Sequence, residues 1–589
     1  MDCSGVGMLA SIAGVLLAAA IAPASAPAPA CARPVSVFHE GRATGVRCPA
    51  DARAAGMTVI DLGDDWAPYP FDGAAVAAGV APPAYRDTLV ELADPGVGSD
   101  AAAEHDLELY GVGPGPRGVL AAMEDEPRHR CHDAIDDAAL RGVHVPLRRE
   151  GVAQAQARRE AQARRQLRLA TLLKRRGETA PARLAATSPA YARLVAEVER
   201  DATRTGAIAA VQAHLVCDGL LARATGALDA ATTRALATYQ RRHWIVARGE
   251  LDGDTRDALI AGSREQDLRR ALRMLRQRVT DAAGLLADGS ARAAWGTVLG
   301  RQLDPADMRY QGTAPPLADG AADAIAPATE AAARALGWID FASTRSGLRA
   351  AVEADMTAVA VALPPVPDYR DLRATIDRAA GEERSELVVY AHDGAAEVAL
   401  VRWPTTVGGW KAEKLPGGAI VRKHKTSDTG PRVWRDLVVA PAWYVPPSTP
   451  DADLVGLRDG RWTVKEDLIG PGYRSAYGLV MLVHHQPVLL GARTFMVDHG
   501  IRTHGSVSYR SILTGDSHGC HRLYNHHALR LATFLLRNHA YVVHGAIHES
   551  YDRRVRRRGR VWYVHRDERG FRYELTPPVP IDVLRRAVE

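Results

Sequence analysis

Apolar positions recur at helical spacing through the middle of the chain and in short strand-like runs toward its C-terminus. Residues 151–176, built of Ala, Arg, Gln and Leu, predict a long surface helix whose end carries Leu167, Leu169, Leu172 and Leu173. Ala235, Leu236 and Tyr239 keep the same period after Asp229 and Thr232, which stand where a turn becomes a helix. Residues 265–286 are amphipathic in the same way. Strands are predicted at 57–63, at 385–390 and 397–401 around an Asp393-Gly394 turn, at 477–484 and at 494–498. A helix follows over 525–537, with Leu529, Ala532, Phe534, Leu535 and Leu536 on its buried face. Residues 561–565 and 570–575 read as a closing hairpin. Residues 64–70, 179–189 and 313–327 read as loops or connections. The pattern predicts a multidomain α+β fold, helical segments first and a mostly β domain after them.

At 589 residues the chain is too long for one hydrophobic core and implies about three or four domains. Its net charge of +5 is small for that length, and acidic residues alternate with basic ones, which leaves no nucleic-acid footprint. The one dense basic run, Arg553, Arg554, Arg556, Arg557, Arg558 and Arg560, reads as a solvated hairpin face, with contact to an anionic polymer as the sharper alternative. Residues 8–22 form an apolar run too short and too rich in small residues for a comfortable membrane span; Ala24-Ser25-Ala26 and Ala28-Pro29-Ala30 follow it as cleavage-type triplets. No Lys or Arg precedes the run and Asp2 is acidic, so the signal is atypical. It predicts export, with the membrane touched only in transit. A lipid anchor on Cys31 is a weak alternative. Beyond Cys3, the cysteines Cys31, Cys48, Cys131, Cys217 and Cys520 are too sparse for a disulfide scaffold; Cys48 and Cys131 are candidates for one bridge, and Cys520 must stay free.

Candidate chemistry concentrates in Thr503-His504-Gly505 and Ser517-His518-Gly519-Cys520-His521-Arg522, with 16 positions from His504 to Cys520. A free thiol ionises near pH 8.5, so a nucleophilic cysteine needs a base or a favourable field nearby. His504 is the candidate base. His518, two residues before Cys520, projects to the thiol's side if the segment is extended, as an assisting or orienting group. Gly519 clears the approach, and the backbone amides around it can face a developing oxyanion. A metal site among His518, His521, His526 and His527 is the competing reading, but no Cys-x-x-Cys pair accompanies them, so neither metal nor cofactor is expected.

These motifs resemble the catalytic signature of L,D-transpeptidases of the YkuD type. The resemblance implies that Gly505 orients His504 through its backbone carbonyl, that Gly519 belongs to the oxyanion hole, and that Arg522 and Ser517 contact substrate. It departs from the family at His521, where a small apolar residue is usual. The segment 438–447, with Trp443 and Pro446-Pro447, is similar to one that larger members carry before the active site. A second resemblance covers 206–262, where Gln212, Asp218-Gly219-Leu220, Gly226-Ala227-Leu228-Asp229, Thr232, Tyr239-Gln240 and Gly249-Glu250-Leu251-Asp252 look like a small three-helix peptidoglycan-binding module.

The organisation that follows is a signal at 1–30, an N-terminal region of unknown role at 35–150, a helical segment and linker at 151–205, the binding-like module at 206–262, a helical region and linker at 263–380, a mostly β YkuD-like domain at 383–549 and a C-terminal hairpin extension at 550–589. The implied activity is an exported, periplasmic L,D-transpeptidase that cross-links peptidoglycan stem peptides through a Cys520 thioester. Water as acceptor would make it an L,D-carboxypeptidase, and a protein lysine would make it a protein-to-peptidoglycan ligase. The alternative from another class is a wall-binding adaptor with a degenerate catalytic domain.

Overall fold

The computed structural model describes residues 31–64, 66, 114–245, 249–286, 320–364, 370–378, 385–393, 396–415, 417–458, 460–472, 474–506, 511–512 and 517–585. The predicted signal with Cys3, the centre of the Asp393-Gly394 turn, most of the 64–70 loop and the first part of the 313–327 connection lie outside the described residues. The rest of that connection is not loose: residues Gly320–Leu336 form a helix, with Pro327 inside it.

The described strands are β1 (Val35–His39), β2 (Arg42–Arg47), β3 (Thr58–Asp61), β4 (Ala358–Val361), β5 (Arg370–Arg378), β6 (Glu386–Asp393), β7 (Ala396–Pro404), β8 (Gly408–Lys414), β9 (Ile420–Thr426), β10 (Gly430–Val439), β11 (Val455–Arg458), β12 (Arg461–Val464), β13 (Val480–Leu490), β14 (Arg493–Ser506), β15 (His521–Tyr524), β16 (Tyr541–Arg557) and β17 (Arg560–Arg585). Nine of them form one sheet in the order β15-β14-β13-β10-β17-β5-β6-β7, with β16 added to β17. A second sheet runs β2-β1-β4-β3, its β1–β4 pair parallel, so the N-terminal strands close on residues more than 290 positions away. With the mixed helices this is an α+β chain, as the hydrophobic pattern predicts.

The large sheet is not bounded at residue 549. The sequence predicts an appended hairpin after that point, whereas β17 lies inside the sheet, antiparallel to β10 and parallel to β5. Periodicity gives a strand's faces but not its partners, which is why the insertion is invisible locally. The arginine run at the β16–β17 turn is also partly structural. Arg557 and Arg558 sit over the Trp462 ring, and Arg553 pairs with Asp451 at 3.1 Å. This arm covers a small core of Val445, Leu454, Val455, Ile469, Val555 and Val564.

The helix Asn525–Asn538 lies under β13, β14 and β15 and is buried over all of residues 525–535, beyond the single face its sequence predicts. The end of the helix Gly253–Ala282 joins it in the same core: its Met274, Leu275 and Val279 cluster with Leu529, Phe534 and Leu535, the nine-stranded sheet, β3 and the helices Pro116–Met123 and Gly320–Leu336. The segments predicted as separate N-terminal, helical and β domains therefore bury one continuous apolar interior.

A distinct core gathers Leu140, Leu147, Ile208, Val211, Leu215, Leu228, Leu236, Tyr239, Leu251 and Leu259. It contains a repeated device that fixes two turns. In Gly226-Ala227-Leu228-Asp229-Ala230-Ala231-Thr232 and Gly249-Glu250-Leu251-Asp252-Gly253-Asp254-Thr255, the aspartate accepts the threonine N–H at 2.8 and 2.9 Å and caps a helix. A buried glutamine locks each turn. Gln212 accepts the N–H groups of Thr225 and Gly226 and donates to the Ala227 carbonyl, while Gln240 accepts from Gly249 and donates to the Glu250 carbonyl. The core reaches back to residues 140–147, before the predicted boundary at 206, and the helix Gly253–Ala282 leaves it through a kink at Gly262 (φ +78°).

The cysteines pair differently from the Cys48–Cys131 bridge that the sequence suggests. Cys31 is bonded to Cys48 and Cys131 to Cys217, with Cα separations of 5.8 and 5.7 Å. A disulfide-bonded sulfur cannot carry a thioether lipid, so the Cys31 anchor falls away.

Candidate active site

His504 lies on β14, and Cys520 immediately precedes β15, the parallel strand beside it. β14 pairs with β15 in the register Thr503↔His521 and His504↔Arg522, so one step back Arg502 stands beside Cys520, the free cysteine among the described residues. The intervening chain returns from the end of β14 to the start of β15. That crossover brings the histidine and the thiol to the same end of the sheet.

His504 is buried. Its Nδ1–H donates to the Gly505 carbonyl at 2.7 Å, the tautomer that this acceptor requires, and Nε2 remains as the basic nitrogen. The Gly505 carbonyl thus fixes the orientation of the ring. A Cβ on Gly505 would lie 2.1 Å from Asn525 Oδ1, which accepts the Leu479 N–H at 3.2 Å, so the position also demands glycine for packing. Burial, then the Arg522 and Arg502 charges, push His504 down to about 3, against the raising effect of its bond to Gly505. The ring is neutral at physiological pH and able to accept a proton. Tyr477 meets it edge-on at 5.2 Å, with its own phenol pushed up to about 12 by burial and by the Cys520 charge.

Cys520 is half-buried, with Sγ 3.7 Å from the Gly500 carbonyl. Burial raises its thiol above the ordinary value. Arg502 opposes this through its charge and its backbone N–H, and Arg522 through its charge; Asp498 adds to the rise. Arg522 is half-buried and acts on both His504 and Cys520, which sets it within reach of the reacting pair.

The loop that presents the thiol differs from the sequence expectation in three places. Ser517 is fully buried, and its Oγ donates to the Cys520 carbonyl at 2.7 Å, so it braces the loop and is not a substrate contact. The Gly519 N–H is directed at Ser517 Oγ at 3.2 Å, which occupies the donor that the oxyanion role would use. Gly519 has φ +103°, a conformation that favours glycine and that breaks the extended geometry on which the placement of His518 depends. His518 is accordingly exposed at the rim. The fixed conformation has further supports. Thr406 Oγ1 donates to the Cys520 carbonyl at 2.7 Å and accepts the Arg522 N–H at 3.0 Å, and Thr405 Oγ1 donates to the Arg522 carbonyl at 3.0 Å.

Tyr477, Asp498, Arg502, Thr405, Thr406 and Asn525 are the residues of the site that sequence reasoning passes over. Arg502, two positions before His504 on a strand, shares its face by simple alternation, and that was the available signal. The threonines give none, because they reach the loop from a connection 114 to 117 residues away in sequence. His521, His526, His527 and His484 are core residues: His484 accepts from Trp434 Nε1 at 3.0 Å, His521 packs 4.9 Å from His484, and His527 stacks on Trp403 at 4.4 Å. Among the described residues, no group of three or more His, Cys, Asp or Glu is arranged to hold a metal ion.

No protein-family model matches the chain, and no curated protein matches it significantly.

Proposed function

We propose that the chain is an exported cysteine acyltransferase of the L,D-transpeptidase class, acting on peptidoglycan stem peptides. The observation that carries the reading is a buried histidine pinned through Nδ1 to the Gly505 carbonyl, on the strand that pairs with the one opening just after Cys520. That arrangement leaves Nε2 to take the thiol proton as the sulfur attacks the carbonyl carbon of an L-residue preceding a D-residue. The tetrahedral adduct collapses, the imidazolium returns the proton to the departing D-amino acid nitrogen, and a thioester remains. The amine of a second stem then attacks the thioester carbonyl, His504 takes its proton, and the thiol is released. Arg522 is the group suited to a stem carboxylate, because a guanidinium holds one in two parallel hydrogen bonds. Water in place of the amine gives carboxypeptidase activity from the same machinery.

Two disulfides support residence in an oxidising compartment such as the periplasm. The separately cored helical segment with its two capped turns supports a wall-binding role beside the acyl-transfer role. Incubation with a carbapenem, read by intact-protein mass spectrometry, tests the proposal: a covalent adduct is expected on the wild-type chain and none on Cys520→Ser. A folded wild-type protein that takes up no adduct would leave the adaptor reading in its place.

A further inference from the structure

We propose that Arg502, clamped by Asp498, is the electrostatic partner of the Cys520 thiolate, so that a fixed guanidinium steadies the anion while His504 serves as the acceptor of its proton. The inference rests on reading Cys520 as the nucleophile, but what it asserts is a property of the thiol itself.

Arg502 is 6% exposed, a rare state for an arginine. Asp498 holds it in two parallel bonds, Nη1 to Oδ1 at 2.6 Å and Nη2 to Oδ2 at 2.7 Å, and Nη1 also donates to the Ile501 carbonyl at 2.9 Å. The Nε–H is buried and has no hydrogen-bond partner among the described residues, so one donor of a buried cation is left without an acceptor. Such an orphan is costly unless the site supplies an anion at some stage of its work.

The neighbouring strand supplies the candidate. The parallel register sets Cys520 beside Arg502, the Arg502 backbone N–H faces the sulfur, and Gly500, two residues earlier on β14, has its carbonyl against Sγ. The groups acting on the thiol are Arg502 and Asp498 from β14, Arg522 from β15, and Tyr477 from the segment before β13, with His504 two residues beyond Arg502 on β14 and paired with Arg522. His504 cannot be the resting cation, because its buried ring stays neutral far below physiological pH. Tyr477 is neutral as well. Two guanidiniums remain, and Arg522 is the half-buried one, placed where a substrate carboxylate would draw its charge away. Arg502 is the cation whose charge is protected from solvent and whose position is fixed.

The test is the pH dependence of Cys520 alkylation by iodoacetamide on the full chain, followed by mass spectrometry. Arg502→Gln should move the midpoint of the rate profile to higher pH by about one to two units, the effect of removing an opposite charge at close range, with the plateau rate at high pH retained. Arg502→Lys should restore part of the shift. Asp498→Asn, which frees the guanidinium from its carboxylate, should move the midpoint down, and this variant keeps the proposal open to refutation should Arg502→Gln not fold. Midpoints that stay with wild type in the folded Arg502 or Asp498 variants, or a profile that moves only in Arg522→Gln, would overturn it. Failure of the transpeptidase reading is separable: the wild-type chain would then take up no carbapenem while the alkylation profiles still shifted.

Discussion

At the scale of single residues, the buried histidines decide how the protein responds to acid. His504 and His526 are each pushed down to about 3 by burial, and His484 and His527 well below the ordinary imidazole value for the same reason. Unfolded, each binds a proton near pH 6.5; folded, none does until far lower pH. Between those limits the unfolded state holds more protons, so the stability these residues contribute is complete above pH 6.5 and is lost as pH falls toward 3. The loss is up to about 1.4 kcal/mol per histidine for each pH unit. Urea unfolding at pH 7 and pH 5 should therefore give a clearly lower midpoint at pH 5, and equal midpoints would contradict the burial of these rings. The two motif histidines separate in the same way. His504→Ala should slow carbapenem acylation by about 10²- to 10⁴-fold, the usual worth of a general base, while the exposed His518 should be replaceable by Ala within about tenfold. Greater damage from His518→Ala would reverse the two roles.

Among elements, turns and strand ends carry the specificity, and they show how far a sequence can be read without a structure. The helix at 525 and the strand leading to His504 are legible because both are local patterns. The placement of His518 beside the thiol fails at a single residue, Gly519, whose positive φ breaks the alternation, while Ser517, which the resemblance sets against substrate, is buried as a brace of the loop. The purpose of the glutamine clamps is not legible locally, since Gln212 lies 13 residues before the Thr225 amide it holds. Gln212→Ala would leave the Thr225 and Gly226 N–H groups without the partner that now satisfies them, at about 1–3 kcal/mol for each group that stays buried and unpaired. Calorimetry should show the helical core melting at lower temperature, with Cys520 alkylation at its wild-type rate. Slowed alkylation in this variant would mean that the helical core and the site are coupled.

For the whole molecule, the decisive fact is that distant segments complete one another. β1 closes on β4, Cys131 on Cys217 and β17 on both β10 and β5, and no periodicity within any of these segments names its partner. The boundary at 549 therefore gives the sharpest test of the architecture. A chain ending at Glu549 would lose β17 from between β10 and β5, leaving two unpaired strand edges in the middle of the sheet. It would also lose the buried side chains of Phe571, Tyr573, Leu575, Val579, Ile581 and Val583. Each contributes about 1.5–3 kcal/mol on burial, so their sum reaches the entire stability of an ordinary domain, about 5–15 kcal/mol. Such a chain should be insoluble or lack a cooperative unfolding transition, and it should form no carbapenem adduct, although every residue of the His504–Cys520 site is present. A chain ending at Arg585 should behave as wild type in both measurements. Cooperative unfolding of the shorter chain, with its thiol still reactive, would mean that the site is framed by residues before 550 alone and that β17 is an accessory to the sheet and not its centre.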